Sequence, residues 1–126
     1  MIGIDLVYVP RIEALLKKGP FLSRFFTEKE CAYFEKRKDP KVVAGNFAVK
    51  EAFSKALGTG IREFNLKDIE VLREDNGKPY IQLGGKLEKK SFHKIHCSIS
   101  HDGDYATAIV LLEEEYETNK SKDSSL

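Results

Sequence analysis

The chain is 126 residues long, the size of one domain, and two full domains would be cramped in it. Hydrophobic residues at 41% and charged residues at 33% allow a real core and exclude wholesale disorder. With 21 Lys and Arg against 20 Asp and Glu the net charge is +1, which removes the electrostatic case for a polyanion-coating protein. The opening MIGIDLVYVP lacks a basic leader and holds Asp5 within its apolar stretch, so it reads as a strand and not as a signal peptide. Ile2, Ile4 and Leu6 alternate with Gly3, Asp5 and Val7, which places the aliphatic set on one face and Asp5 on the other.

A first helix is expected from Pro10, where proline suits the first helical position, to the break at Gly19-Pro20. Thr27-Glu28-Lys29-Glu30 has the form of a capping box, which starts a second helix running to about Arg37. The third helix is bounded most sharply, with Asp39 as cap, Pro40 in its first position and Gly58 past its end. Val43, Phe47, Phe53 and Leu57 share its broad apolar side, beside a strip of Ala44, Ala48, Glu51 and Lys55. Small alanines flanking two charges leave room for something to approach closely.

Beyond Gly58-Thr59-Gly60 the pattern turns to β. Asp68–Glu74, the turn Asp75-Asn76-Gly77 and Pro79–Leu83 read as a hairpin. Lys86–His93 is a short amphipathic segment, and Ile95–Ser100 with Tyr105–Leu112 forms a second hairpin turning at Asp102-Gly103. Helices early and antiparallel hairpins late make an α+β domain of residues 1–112. Residues 113–126, with five acids and two lysines, read as a flexible acidic tail. No segment approaches a membrane span. Cys31 and Cys97 lack the spacing of a zinc site or disulfide framework and fit a reducing compartment, so a cytoplasmic protein is expected.

Three places carry candidate chemistry. Asp5 in an aliphatic strand needs a cation, donors or water, unless it merely caps a backbone amide at a strand end. Glu51 and Lys55 have the spacing of a solvated helix pair, but the alanines beside them suit a working face, and two hard carboxylates with phosphate oxygens would suit Mg²⁺. Gly58-Thr59-Gly60 offers backbone amides to a phosphate as well as a helix cap, and Lys78 at a hairpin shoulder can reach an anion. His101 ends a strand beside the hydroxyls of Ser98 and Ser100. Spacing alone does not say whether Asp5 and Glu51 meet.

Taken together, Gly3-Ile4-Asp5-Leu6-Val7, Phe25-Phe26-Thr27-Glu28-Lys29-Glu30, the run Phe47–Gly60, Asp68-Ile69-Glu70-Val71, Asn76-Gly77-Lys78-Pro79 and Ser98-Ile99-Ser100-His101 resemble the holo-acyl-carrier-protein synthases, a group of 4′-phosphopantetheinyl transferases. The resemblance spans roughly residues 1–112. It implies the 4′-phosphopantetheinyl transferase fold, with the N-terminal strand and helices packed on antiparallel hairpins, and a homotrimer whose sites lie between subunits. It also implies transfer of phosphopantetheine from coenzyme A to a serine of apo-acyl carrier protein in fatty acid biosynthesis, with release of 3′,5′-ADP. Carried over by position, Asp5 and Glu51 hold Mg²⁺, while Glu51, Lys55 and His101 are catalytic. Lys55, Gly58, Thr59, Gly60, Lys78, Pro79, Ser98 and His101 line coenzyme A. One departure stands out. Many members read Ala-Gly-Arg-Phe where this chain has Ala44-Gly45-Asn46-Phe47, so the contact credited to that arginine is not carried over.

Met1–Gly60 holds eleven basic and seven acidic residues, a local excess that gains a use if the partner is an acidic carrier protein. Arg11, Lys17, Lys18 and Arg24, with Leu15, Phe21 and Leu22 as dry contacts, form the expected dock. Two other readings stand beside the transferase. One is a catalytically silent protein that binds coenzyme A or carrier protein, favoured by Asn46; the other is a Mg²⁺-dependent phosphohydrolase using the same carboxylates.

Overall fold

Asp5 and Glu51, far apart in the chain, belong to a strand and a helix laid directly against each other. In the computed structural model, which describes residues 1–58 and 64–115, the chain runs β1 (Ile2–Tyr8), α1 (Val9–Leu16), α2 (Phe21–Phe25), α3 (Glu28–Arg37), α4 (Pro40–Leu57), β2 (Ile69–Arg73), β3 (Pro79–Leu83), β4 (Lys94–Asp102) and β5 (Tyr105–Glu113). The expected α+β class holds. One antiparallel sheet has the order β1-β5-β4, and β2 pairs with β3 in a separate two-stranded sheet.

The helix signals read correctly from local chemistry. Thr27 and Glu30 exchange both bonds of a capping box at the start of α3. Asp39 accepts from the Lys41 amide at 2.9 Å to open α4, and Gly58 closes it at φ 78°, a conformation that disfavours side chains. The first helix differs from expectation. It stops at Leu16, and a separate short helix, α2, follows Pro20. That helix exists because Phe21 and Phe25 pack edge-on against each other at 5.3 Å, and Phe21 also meets Phe26 and Phe47, both at 5.8 Å. Long-range aromatic packing outweighs the local break.

α4 lies across the sheet and is buried along most of its length. Gly3 makes this close approach possible, because a Cβ there would collide with the Ala52 carbonyl and stand 2.7 Å from the Ala56 amide nitrogen. Ala44, Ala48, Ala52 and Ala56 are all buried. Of the expected strip, Ala44 and Ala48 are thus taken up in the core, while Glu51 and Lys55 stay partly exposed at its end.

The alternation of β1 runs opposite to the usual hydrophobic-in arrangement. Gly3, Asp5 and Val7 face α4, while Ile2, Ile4 and Leu6 are 62–63% exposed. Tyr8, Tyr105, Ile109 and Leu111 extend the same open face at 40–47% exposure. Such a contiguous apolar face is the kind a partner would cover. On the other side, Ile12, Phe26, Val49, Phe53, Ile69 and Val110 are fully or almost fully buried, each contributing about 1.5–3 kcal/mol. Glu113, expected to open the tail, is instead the last residue of β5, and residues 116–126 lie outside the described residues. No helix among the described residues is long and apolar enough to cross a membrane.

Candidate active site

Asp5 sits in the middle of β1 with its side chain 15% exposed and turned to α4. The Lys55 ammonium donates to its Oδ1 at 3.0 Å and to the Ile4 carbonyl at 3.1 Å. The Thr107 hydroxyl donates to the Asp5 backbone carbonyl at 2.8 Å, which fastens this part of β1 to β5. Glu51, one turn before Lys55, is half-buried. Burial pushes its carboxyl above the ordinary range, the nearby Asp5 charge pushes it further, and Lys55 offsets only part of both.

Lys55 thus pairs with Asp5 across the helix–strand contact and not with Glu51 along its own helix. Both acids face one region and repel each other, while neither Glu51 oxygen nor Asp5 Oδ2 has a hydrogen-bond partner among the described residues. A cation is the natural complement to that arrangement. No cluster of three or more metal-binding side chains occurs among the described residues. That donor set suits Mg²⁺, which takes one or two carboxylates and completes its shell with water and phosphate oxygens.

The other expected site residues form a second group. His101 Nε2 lies 2.9 Å from the Lys41 carbonyl at the start of α4, in space left by Gly45, where a Cβ would stand 3.4 Å from that nitrogen. The register aligns Asp5 with Ala108 and Ala108 with Ile99, so His101 is two strands over and two residues along from Asp5. Ser98 lies on the open face, aligned through Ile109 with Ile4. Lys78 is exposed at the hairpin turn, where its amide donates to Asn76 Oδ1 at 2.9 Å, and the Cys97 thiol lies 3.5 Å from the Pro79 carbonyl. Lys78, Pro79 and β4 thereby make one wall. Within one chain the wall and the Asp5–Glu51–Lys55 group are not brought together. Gly58 borders α4, while Thr59 and Gly60 lie outside the described residues.

Among the expected docking residues, Arg11, Lys17, Lys18 and Arg24 are exposed and Leu15 and Leu22 are half-buried. Phe21 departs from expectation. It is only 8% exposed because it belongs to the aromatic core, so it offers a partner little contact surface. Asn46 departs as well, since it is fully buried and donates to Glu30 Oε2 and to the Val71 carbonyl, each at 3.2 Å. Glu30 was legible as the N3 residue of a capping box. Its bonds to Asn46, Lys50 and Val71 had no local signal, because those partners stand 16 to 41 residues away.

Residues 1–110 match the sequence profile of the 4′-phosphopantetheinyl transferase superfamily. The chain belongs to that superfamily. A holo-[acyl-carrier-protein] synthase of Clostridium botulinum (strain Eklund 17B / Type B) is 49% identical over 117 residues, covering 89% of this chain and 95% of that protein. One from Clostridium perfringens (strain ATCC 13124) is 47% identical over 128 residues, covering 94% of this chain and 96% of its own. Two solved structures are similar throughout. The Helicobacter pylori holo-[acyl-carrier-protein] synthase in complex with coenzyme A superposes with a TM-score of 0.81 at 38% identity, over 90% of this chain and 100% of that one. The Bacillus anthracis enzyme in complex with CoA (3′,5′-ADP) gives a TM-score of 0.79 at 42% identity, over 90% and 96%. As a 4′-phosphopantetheinyl transferase superfamily member, the chain has the antiparallel sheets and α4 spine just described.

Proposed function

We propose that the chain is a holo-[acyl-carrier-protein] synthase, which moves 4′-phosphopantetheine from coenzyme A onto a serine of apo-acyl carrier protein and releases 3′,5′-ADP. The observation that carries this reading is the meeting of Asp5, Glu51 and Lys55 at the β1–α4 contact of a superfamily member. The serine oxygen attacks the phosphorus next to pantetheine, the bond from that phosphorus to the 3′,5′-ADP oxygen breaks, and the serine proton must be taken up.

Glu51, half-buried and close enough to feel the Asp5 charge, is the carboxylate that would accept that proton. Asp5 and Glu51 would hold Mg²⁺, which when bound supplies positive charge against the diphosphate oxygens. Lys55, with 56% of its side chain exposed, holds its ammonium beside Asp5, where it donates to phosphate oxygens as well. Lys78, Pro79, Ser98 and His101 bind and orient the nucleotide portion, together with Gly58 and the Thr59 and Gly60 that follow it in sequence.

The apolar face of β1 and β5 supports a homotrimer. Ile2, Ile4, Leu6, Ile109 and Leu111 are too exposed for a free surface, and Ser98 shares that face. Packing through it would bring the Lys78–Pro79–β4 wall of one copy toward the Asp5–Glu51–Lys55 group of another. The acidic carrier docks on Arg11, Lys18 and Arg24, with Leu15 and Leu22 as its apolar contacts, and the setting is the cytoplasm. The silent-binder reading leaned on Asn46. With Asn46 buried among Glu30 and Val71, no observation at the surface favours it.

The experiment is intact-mass measurement of apo-acyl carrier protein incubated with the protein, coenzyme A and Mg²⁺. A gain of one phosphopantetheine mass is expected. An unchanged carrier would leave a binding protein, and phosphate release without a carrier would indicate a hydrolase.

A further inference from the structure

β2 pairs with β3 along one edge only. The amide and carbonyl of Val71 and the carbonyl of Ile69 point to the other edge, which is buried and calls for hydrogen-bonding partners. Three side chains supply them in place of a strand. Glu30 Oε2 accepts from the Val71 amide at 3.1 Å, Asn46 Nδ2 donates to the Val71 carbonyl at 3.2 Å, and Lys50 Nζ donates to the carbonyls of Ile69 at 2.6 Å and Leu66 at 2.9 Å. The three are tied together, with Lys50 Nζ 2.8 Å from Glu30 Oε1 and Asn46 Nδ2 3.2 Å from Glu30 Oε2, and all three side chains are fully buried. Burial pushes the Lys50 ammonium down, and Glu30 is the chief group holding it up. A lysine that needed only an apolar stem would not be buried at such cost.

The placement gives this arrangement a consequence. Glu30 belongs to α3, while Asn46 and Lys50 stand one turn apart on α4, so the β2–β3 hairpin is registered against both helices. The far end of that hairpin carries Lys78 and Pro79. Toward β4 the hairpin has the Cys97 thiol, a weak donor, on the Pro79 carbonyl at 3.5 Å as its hydrogen bond among the described residues. The Lys78–Pro79 shoulder therefore depends on these buried side chains, alongside the Thr27 hydroxyl on Glu70 Oε2 at 2.6 Å and Arg73 over the Tyr33 ring at 5.1 Å.

We propose that Glu30, Asn46 and Lys50 form a positioning triad for coenzyme A, a side-chain substitute for a strand that sets the Lys78–Pro79 shoulder against β4. The inference rests on the reading of the chain as a coenzyme A-dependent transferase. Asn46 is the member to test, because its removal takes away two hydrogen bonds and leaves the Lys50–Glu30 ion pair intact.

The test compares Asn46→Ala with Leu112→Ala, a core truncation at the far end of β5, both assayed below their melting temperatures. Asn46→Ala should raise the KM for coenzyme A about tenfold, the equivalent of one buried hydrogen bond, with kcat and the carrier-protein KM within about twofold. Leu112→Ala should lower stability without moving the coenzyme A KM. Equal KM values in the two variants, with only melting temperature reduced, would overturn the proposal. A second measurement covers the case in which Asn46→Ala does not fold. In the unmodified protein, coenzyme A should slow hydrogen exchange at the Val71 amide, because a triad that favours binding must itself be tightened by binding. Unchanged exchange there, with protection elsewhere, would overturn the proposal too. A protein that binds coenzyme A with that protection but transfers nothing would sink the transferase reading and support the triad.

Discussion

Lys55 reaches across the helix–strand contact to Asp5 at 3.0 Å and leaves Glu51, four residues earlier on the same helix, without an ion-pair partner among the described residues. The Lys55 cation is taken by Asp5, and the Asp5 charge adds to the burial that raises the Glu51 carboxyl. That spare negative charge suits the divalent ion proposed for this site.

Removal of either acid tests this. Asp5→Ala and Glu51→Ala should each lower transfer by about 100-fold or more, the scale of losing a principal electrostatic contact. Sedimentation should show the assembly unchanged. Normal turnover in either variant with Mg²⁺ present would remove the metal assignment.

The Glu51 carboxyl should titrate above the ordinary glutamate range in the metal-free protein, as followed by carbon NMR of the side chain. The sign is fixed by its causes. As pH rises through the ordinary range the unfolded chain loses a proton that the folded chain keeps, so this group takes stability away until its own raised pKa is passed. Asp5→Asn should bring the midpoint down, because it removes a like charge. Mg²⁺ should lower it as well, and a midpoint unaffected by either change would contradict the shared site.

The local signals and the distant ones differed in how well they could be read. The Thr27–Glu30 capping box, the Asp39 and Gly58 ends of α4 and the turn at Gly77 depend on neighbours a few residues away, and each formed as expected. Which face of β1 is buried was not legible, because the exposed aliphatic face of a lone chain looks like a core face in sequence. Phe21 read as a surface contact because its aromatic partners include Phe47, on a different helix. The resemblance linked Asp5 with Glu51; spacing alone did not. Asn46 read as a missing surface contact although its side chain points inward.

The open sheet face should hold the assembly together. Ile4→Glu puts a charge among Ile2, Leu6 and Ile109 and should yield monomers in sedimentation velocity. Transfer should then fall sharply, because the two halves of the site would lie on separate molecules. Monomers with full activity would show that each chain carries a complete site.

Arg11→Glu reverses an exposed charge in the proposed dock. It should raise the carrier-protein KM several-fold while leaving that of coenzyme A within about twofold, with the contrast largest at low salt. Equal effects on both substrates would move the docking face elsewhere.

Cys97 should be slow to react with alkylating agents at pH 8, since burial pushes its thiol up to about 11, and Cys31 is raised for the same principal reason. Between about pH 9 and 11 the unfolded thiol loses its proton before the folded one, so stability contributed by this group falls with rising pH. Thiol titration of native and unfolded protein checks both points.

The most direct measurement is a crystal structure of the protein with coenzyme A and Mg²⁺. One ion should lie about 2.0–2.1 Å from an oxygen of Asp5 and an oxygen of Glu51, with diphosphate oxygens in the same shell. An ion held by other residues, or a bound diphosphate with the two carboxylates turned to different places, would contradict the assignment.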